Sequence, residues 1–326
     1  MCEQERRGLV REGAHLGRIC RALKSGKLVP LKKRRPMKVH PSILAGSLGF
    51  VSTSSAESAT VRVAVVQAHP IIGDVQRNLT HAVELVEAAA AEGAQVIVLP
   101  ELATTGYVFR DKAELFKAIE YDNGMDALAD VSRRLNVVLI AGVALRDGDT
   151  ALNCAVLFED GSLKATYVKT HPWNTEKAIF TARAALPPVV ETRFGRIGLA
   201  VCYDLEFPEI FRHLAQGGAE LIAAPTNWPA GFESTPPESP YTAEMIRVMG
   251  NASTNRVFVA VSCRTGHERG VDWVDRSAIY GVDGFPVAEA TPGVNLALAD
   301  LDLRGSHDKN VSPNNHALND RRTDLY

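Results

Sequence analysis

A carboxylate, an ammonium group and a thiol stand where three apolar stretches of the chain run out. Glu101 follows QVIVL (95–99), Lys169 follows LKATYV (163–168), and Cys202 closes RIGLAVC (196–202). Splitting an amide needs a strong nucleophile, because the carbonyl carbon is a poor electrophile. A thiolate suits, yet a free thiol of pKa ~8.5 is mostly protonated at neutral pH. A nearby carboxylate can take that proton and later hand it to the departing amine. A lysine can stabilise the oxyanion and balance the charge. Glu101, Lys169 and Cys202 would supply base, stabiliser and nucleophile, and the set needs no metal and no cofactor. Taken singly, each has a plainer role: a packed cysteine, a capping or exposed glutamate, a solvated lysine.

What must position them is a series of alternating strands and helices. Residues 61–68 (VRVAVVQA) are apolar almost throughout, as a strand covered on both faces would be. Residues 78–92 carry Leu79, Val83 and Val86 at helical spacing, and Gly93 ends that helix. Strands are expected at 95–99, 137–143, 154–158, 163–168, 196–202, 220–223, 257–262, 277–280 and 296–301. Helices are expected at 111–121, 125–135, 208–216 and 241–254. Such alternation defines the α/β class. "GAQVIVLPE" before and at Glu101 is echoed by "GAELIAAPT" around Pro225, a weak internal repeat that suggests two related sheet halves.

The chain has 326 residues, enough for a large core. Cys2, Cys20, Cys154, Cys202 and Cys263 are scattered and odd in number, without metal-ligand spacing. That suits a reducing, cytoplasmic setting. No apolar run reaches the ~18 residues of a membrane helix. Residues 1–40 hold 12 Lys+Arg against 3 Asp+Glu, and the rest of the chain 24 against 35. The acidic body argues against nucleic acid as a partner. Residues 1–60, with Lys32–Arg35 and a serine-rich 52–58, read as a disordered extension outside the domain at 61–326. A weak export signal, interrupted by Gly46, Ser47 and Gly49, is the alternative.

Three motifs carry a resemblance to a known family. LPELATTGY (99–107), YVKTHPW (167–173) and GLAVCYDLEFPE (198–209) resemble, in order, the glutamate, lysine and cysteine motifs of the nitrilase, or carbon–nitrogen hydrolase, superfamily. The resemblance covers 61–326. It implies a four-layer α-β-β-α sandwich, assembly as a homodimer or larger homo-oligomer, and a small-molecule substrate. It implies Glu101 as general base, Lys169 as oxyanion stabiliser, Cys202 as nucleophile and the Tyr203 N–H as a second oxyanion donor. Glu176 aligns with a further family glutamate that helps position substrate. Tyr107, Trp173, Asn227 and Trp228 are candidate pocket residues. Tyr203-Asp204 after the cysteine resembles the amidase-like branch rather than true nitrilases. Glu206 stands where omega-amidases typically carry arginine. The sequence departs from the family at Asn251, Thr254 and Cys263, and 180–185 (FTARAA) lacks a frequent Pro-Gly.

These readings favour hydrolysis of a small linear amide to ammonia and an acid. An N-carbamoyl amine and a nitrile are the alternatives, and a catalytically silent binding protein is the non-enzyme one. There is no G-x-S-x-G elbow, no G-x-G-x-x-G and no zinc-ligand set, which disfavours serine hydrolases, dinucleotide enzymes and zinc enzymes.

Overall fold

The computed structural model describes residues 60–325, except 121–122, 233–235, 237, 291–292 and 294. The extension read at 1–60 lies outside the described residues save for Thr60.

Two six-stranded sheets form the centre. The first contains β1 (Val61–Val66), β2 (Val96–Val98), β3 (Val138–Asp147), β4 (Thr150–Glu159), β5 (Ser162–Val168) and β14 (Leu296–Leu301), in the order β14-β1-β2-β3-β4-β5. The second contains β6 (Val189–Thr192), β7 (Gly195–Leu199), β8 (Leu221–Thr226), β9 (Phe258–Cys263), β12 (Ala278–Tyr280) and β13 (Pro286–Glu289), in the order β13-β12-β9-β8-β7-β6. Strands β10 (His267–Glu268) and β11 (Val271–Asp272) pair, as do β15 (Asn310–Ser312) and β16 (Asn315–His316).

Each sheet has a parallel centre, β1-β2-β3 and β7-β8-β9, with antiparallel flanks. The internal repeat falls on β2 and β8, the middle strand of each parallel trio. The doubled motif in the sequence is therefore a doubled position in the fold.

Side chains alternate along each strand with period two, and both faces are apolar. Val63, Val65, Val96, Val98, Val138 and Ile140 pack with Leu199, Ala223, Val259 and Val261 of the other sheet. Their neighbours Ala64, Val66, Ile97, Leu139 and Ala141 pack with Ala82 and Val86 of helix α1 (Val75–Ala91) and with Leu128 and Val131 of α3 (Met125–Leu135). Each such valine or leucine contributes about 1.5–3 kcal/mol on burial, so these two seams hold the layers. Leu214 of α5 (Pro208–Gln216) and Met245 and Val248 of α6 (Ala243–Asn255) cover the second sheet. The result is the α-β-β-α sandwich. Two short helices, α2 (Lys112–Ala118) and α4 (Glu176–Ile179), follow loops near the strand ends.

Several elements differ from the sequence reading. Helix α1 begins earlier, at Val75, because the Asp74 side chain accepts the Arg77 N–H and caps it. β3 and β4 form one long hairpin through Gly148, which has φ +58°. β6 and β13 were not expected; both are four-residue strands paired to only one neighbour each. The apolar run 196–202 is a strand only to Leu199. Cys202 does not end it but opens a 3-10 turn, Cys202–Glu206.

Candidate active site

Four chain segments arrive at one place from the carboxyl ends of strands. Glu101 follows β2, Lys169 follows β5, Cys202 follows β7 and Asn227 follows β8. The carboxyl edge is where loops can converge in such sheets. The backbone of Pro100–Leu102 lies directly against β3, and Gly142 makes that approach fit: a Cβ there would sit 2.3 Å from the Glu101 Cα. Ala103 N–H then bonds the Gly142 carbonyl at 2.8 Å.

Glu101 is fully buried, as is Lys169 at 1% exposure. Glu101 Oε1 accepts from Lys169 Nζ and from Asn153 Nδ2, both at 2.7 Å. Its second oxygen, Oε2, is buried with no hydrogen-bond partner among the described residues. Lys169 Nζ also donates to Glu176 Oε1 at 2.9 Å. Glu176 accepts in addition from the Tyr107 hydroxyl and from the Trp173 N–H, the latter at 3.0 Å. One ammonium thus bridges two buried carboxylates.

Cys202 has φ +49°, a region that side chains other than glycine rarely occupy. Such a conformation persists only when surroundings over-determine it. Asp204 supplies much of that restraint. Fully buried, it accepts the Val201 N–H at 3.0 Å, the Tyr167 hydroxyl at 2.9 Å and the His171 N–H at 3.1 Å, and pairs with the His171 ring at 2.7 Å. Tyr167 and His171 flank Lys169 by two residues on either side. One carboxylate therefore ties the Cys202 turn to the lysine segment. Asn251 of α6 adds a bond from Nδ2 to the Leu205 carbonyl at 3.2 Å. Asn227 lies behind the site: Nδ2 donates to the Glu101 carbonyl at 2.7 Å, and its own carbonyl accepts the Cys202 thiol at 3.6 Å. The ends of β2 and β8, the repeated positions, meet through this bond.

The electrostatics follow from burial. Burial raises the Glu101 carboxyl to about 7, against the pull of the Lys169 ammonium. Burial works against the Lys169 charge too, but the Glu101 and Glu176 carboxylates outweigh it and hold Lys169 well above the ordinary lysine value. Burial, with the Glu101 carboxylate beside it, pushes the Cys202 thiol well up. The resting set is a thiol, an ammonium and a carboxyl group near its titration point.

Above Cys202 is a cleft lined by Trp173, Tyr203, Glu206, Trp228, Pro229, Phe232 and Glu244. A neighbouring cavity shares Trp173, Pro229 and Phe232 and adds Tyr107, Val108, Asn174, Thr175, Val271 and Trp273. Of the residues singled out in the sequence, Glu101 and Glu176 both bond Lys169; Cys202, Tyr203, Trp173 and Trp228 line the cleft; Tyr107 joins the neighbouring cavity; Asn227 lines neither. No group of His, Cys, Asp and Glu among the described residues could hold a metal ion.

Sequence reasoning missed two supports. Asn153 is a polar residue within the apolar β4, and that interruption was its only signal. Glu268 accepts the Tyr107 N–H at 2.8 Å and the Val108 N–H at 2.5 Å, and pairs with the buried Arg264 at 2.8 Å. Arg264 stands 4.6 Å over the Trp273 ring, which meets Tyr107 edge-on.

A family model described as carbon-nitrogen hydrolase matches residues 62–307. A "Nitrilase" of Pyrococcus abyssi is 32% identical over 270 residues, which span 82% of this chain and 99% of that one. The chloroplastic omega-amidase of Arabidopsis thaliana is 31% identical over 275 residues, 78% of this chain and 71% of that one. The solved structure of a mutant of the Nesterenkonia AN1 amidase, from the nitrilase superfamily, superposes with a TM-score of 0.68 at 26% identity, over 81% of this chain and 95% of that one. In another structure of that amidase, acrylamide has undergone Michael addition at the active-site cysteine. The matched span takes in both sheets and every strand end that meets at Glu101, Lys169 and Cys202, and on that ground this chain belongs to the carbon–nitrogen hydrolase family, in the amidase-like part of the nitrilase superfamily.

Proposed function

We propose that the enzyme hydrolyses small linear amides to ammonia and a carboxylic acid through a thioester on Cys202. The observation that carries this is a strained, buried thiol that lines the cleft, with a buried carboxyl group whose second oxygen has no partner among the described residues and the ammonium bonded to that carboxyl arriving from neighbouring strand ends. At rest the thiol keeps its proton, so attack needs a base. Glu101 takes the proton as Cys202 Sγ bonds to the amide carbonyl carbon. Lys169 and the Tyr203 N–H stabilise the oxyanion. The C–N bond breaks, Glu101 returns the proton to the leaving nitrogen, and ammonia departs. Glu101 then takes a proton from water; the hydroxide adds to the thioester, and the acid leaves as Cys202 recovers its proton. Glu176, held by Lys169, Tyr107 and the Trp173 backbone, positions substrate. Trp173, Tyr203 and Trp228 wall the cleft, and Asn227 braces the base from behind.

The catalytic domain in this reading is 61–326, and it acts as a homodimer or larger assembly. Exposed Ile246 on α6 and exposed Phe285 and Val287 beside it supply an apolar surface for a second copy, since Gly284 packs on Met249 and Ser253 of that helix. A cytoplasmic location fits the free thiols of Cys154, Cys202 and Cys263. No helix among the described residues is long and apolar enough to cross a membrane.

The test is ammonia release from a panel of small amides, N-carbamoyl amines and nitriles, with Cys202→Ala as the blank. Release from amides that disappears in the variant supports the proposal. Nitriles belong in the panel because the Pyrococcus relative is described as a nitrilase. Release from nitriles or carbamoyl amines alone would replace the amide reading.

A further inference from the structure

The cleft above Cys202 has an uneven charge. Two carboxylates, Glu206 and Glu244, line it, and among the described residues no lysine, arginine or histidine does. The two acids differ in their surroundings. Glu206 belongs to the Cys202 turn and pairs with Arg247 at 3.1 Å. Arg247 belongs to α6 and is not among the described residues that line the cleft. Glu244 sits half-buried in the first turn of α6, and no ion pair to it is found among the described residues. Around them stand aromatic rings: Trp173 meets Tyr203 edge-on at 4.7 Å and Phe232 at 5.8 Å between ring centres. Carboxylates and aromatic rings together attract an ammonium group and repel a carboxylate.

Resting on the amidase reading above, we infer that this cleft selects substrates by charge: it takes amides whose far end carries a protonated amine and turns away those ending in a carboxylate. Glu244 is the specificity-determining residue, because it lines the cleft and no ion pair to it is found among the described residues. The plainer account is that Glu244 only complements the positive end of the α6 dipole and that Glu206 only anchors Arg247. Under that account the far end of the substrate would meet no net field, and removing the Glu244 charge would alter all substrates alike.

The experiment uses three amides of matched length: 4-aminobutanamide, pentanamide and succinamate. Values of kcat/KM are measured for the full chain and for Glu244→Gln, at low and high salt. The expected order is cation, neutral, anion, with about tenfold or more between the ends. Added salt should narrow the spread, since the cleft is open to solvent. Glu244→Gln should shrink the cation-to-anion ratio at least several-fold. Equal rates for the three amides, a preference for succinamate, or a ratio untouched by Glu244→Gln would overturn the inference. Binding of the same amides to Cys202→Ala, followed by calorimetry, separates the two levels of the account. Charge-ordered binding without turnover in the wild type would sink the amidase reading and keep the cleft's selectivity. Binding without charge order, or no binding, would sink the selectivity itself.

Discussion

The floor of the site and its mouth are built on opposite principles. On the floor, Glu101, Lys169 and Glu176 are at most 3% exposed, and Lys169 bonds both carboxylates. Backbone and side-chain bonds from Asn153, Tyr107, Trp173 and Asn227 fix the rest. In the mouth, Glu206 and Glu244 are half-buried, and Phe232 is 54% exposed. Preorganised charge in a dry site stabilises developing charge strongly, because nothing must reorganise at the moment of reaction. A cleft with partly exposed walls can instead discriminate between substrates at modest energies. On the reading proposed above, the difference separates chemistry, assigned to the floor, from selection, assigned to the mouth.

The comparison can be broken at several points. The largest effect is expected from Lys169→Met. It leaves two carboxylates buried and unpaired, and removing one partner of such a group costs about 3–5 kcal/mol of stability. Urea unfolding measures this; a loss under 1 kcal/mol would mean that the floor is not held by its charges. The pH profile comes next. In the proposed mechanism Glu101 is the base and works only when deprotonated, and burial raises its carboxyl to about 7. Activity should therefore be lost as pH falls through about 7, by about tenfold per pH unit further down. A kcat/KM profile flat from pH 8 to 5 would remove Glu101 as the base. The smallest effect is expected at the mouth. Phe232→Ala should raise KM a few-fold with kcat nearly unchanged, since trimming one open wall weakens substrate and transition state alike. A fall in kcat instead would show that the mouth shares in the chemistry.

The same division governs what could be read from the sequence. The trio was legible because each member sits in a short local motif, and the strand pattern around it is strongly apolar. The repeat at 93–101 and 218–226 was legible too, and it marks β2 and β8, whose ends meet through Asn227 and the Glu101 carbonyl. The strained turn at Cys202 was not: Ala200 and Val201 continue the apolar run and are fully buried, and periodicity carries no information about a positive φ. Asn153 was missed because its partner Glu101 is 52 positions away. Asp204 was legible only as a marker of branch, while its four bonds reach elements 33 or more residues distant as well as the turn itself. Glu268, paired with Arg264, supports the Tyr107 N–H from 161 residues along the chain, beyond any local pattern. The residues of the local motifs could be picked out; the partners that hold them lie far along the chain and had to be seen in space.

The central claim is that Cys202 carries the acyl group. Intact-protein mass measured after acid quench during turnover of a small amide tests it most directly, with the modified peptide then located by digestion. The account predicts a mass gain equal to the acyl group, on the peptide containing Cys202, and neither adduct nor turnover in Cys202→Ala. Undiminished turnover in Cys202→Ala, or an acyl group on another residue, would contradict it.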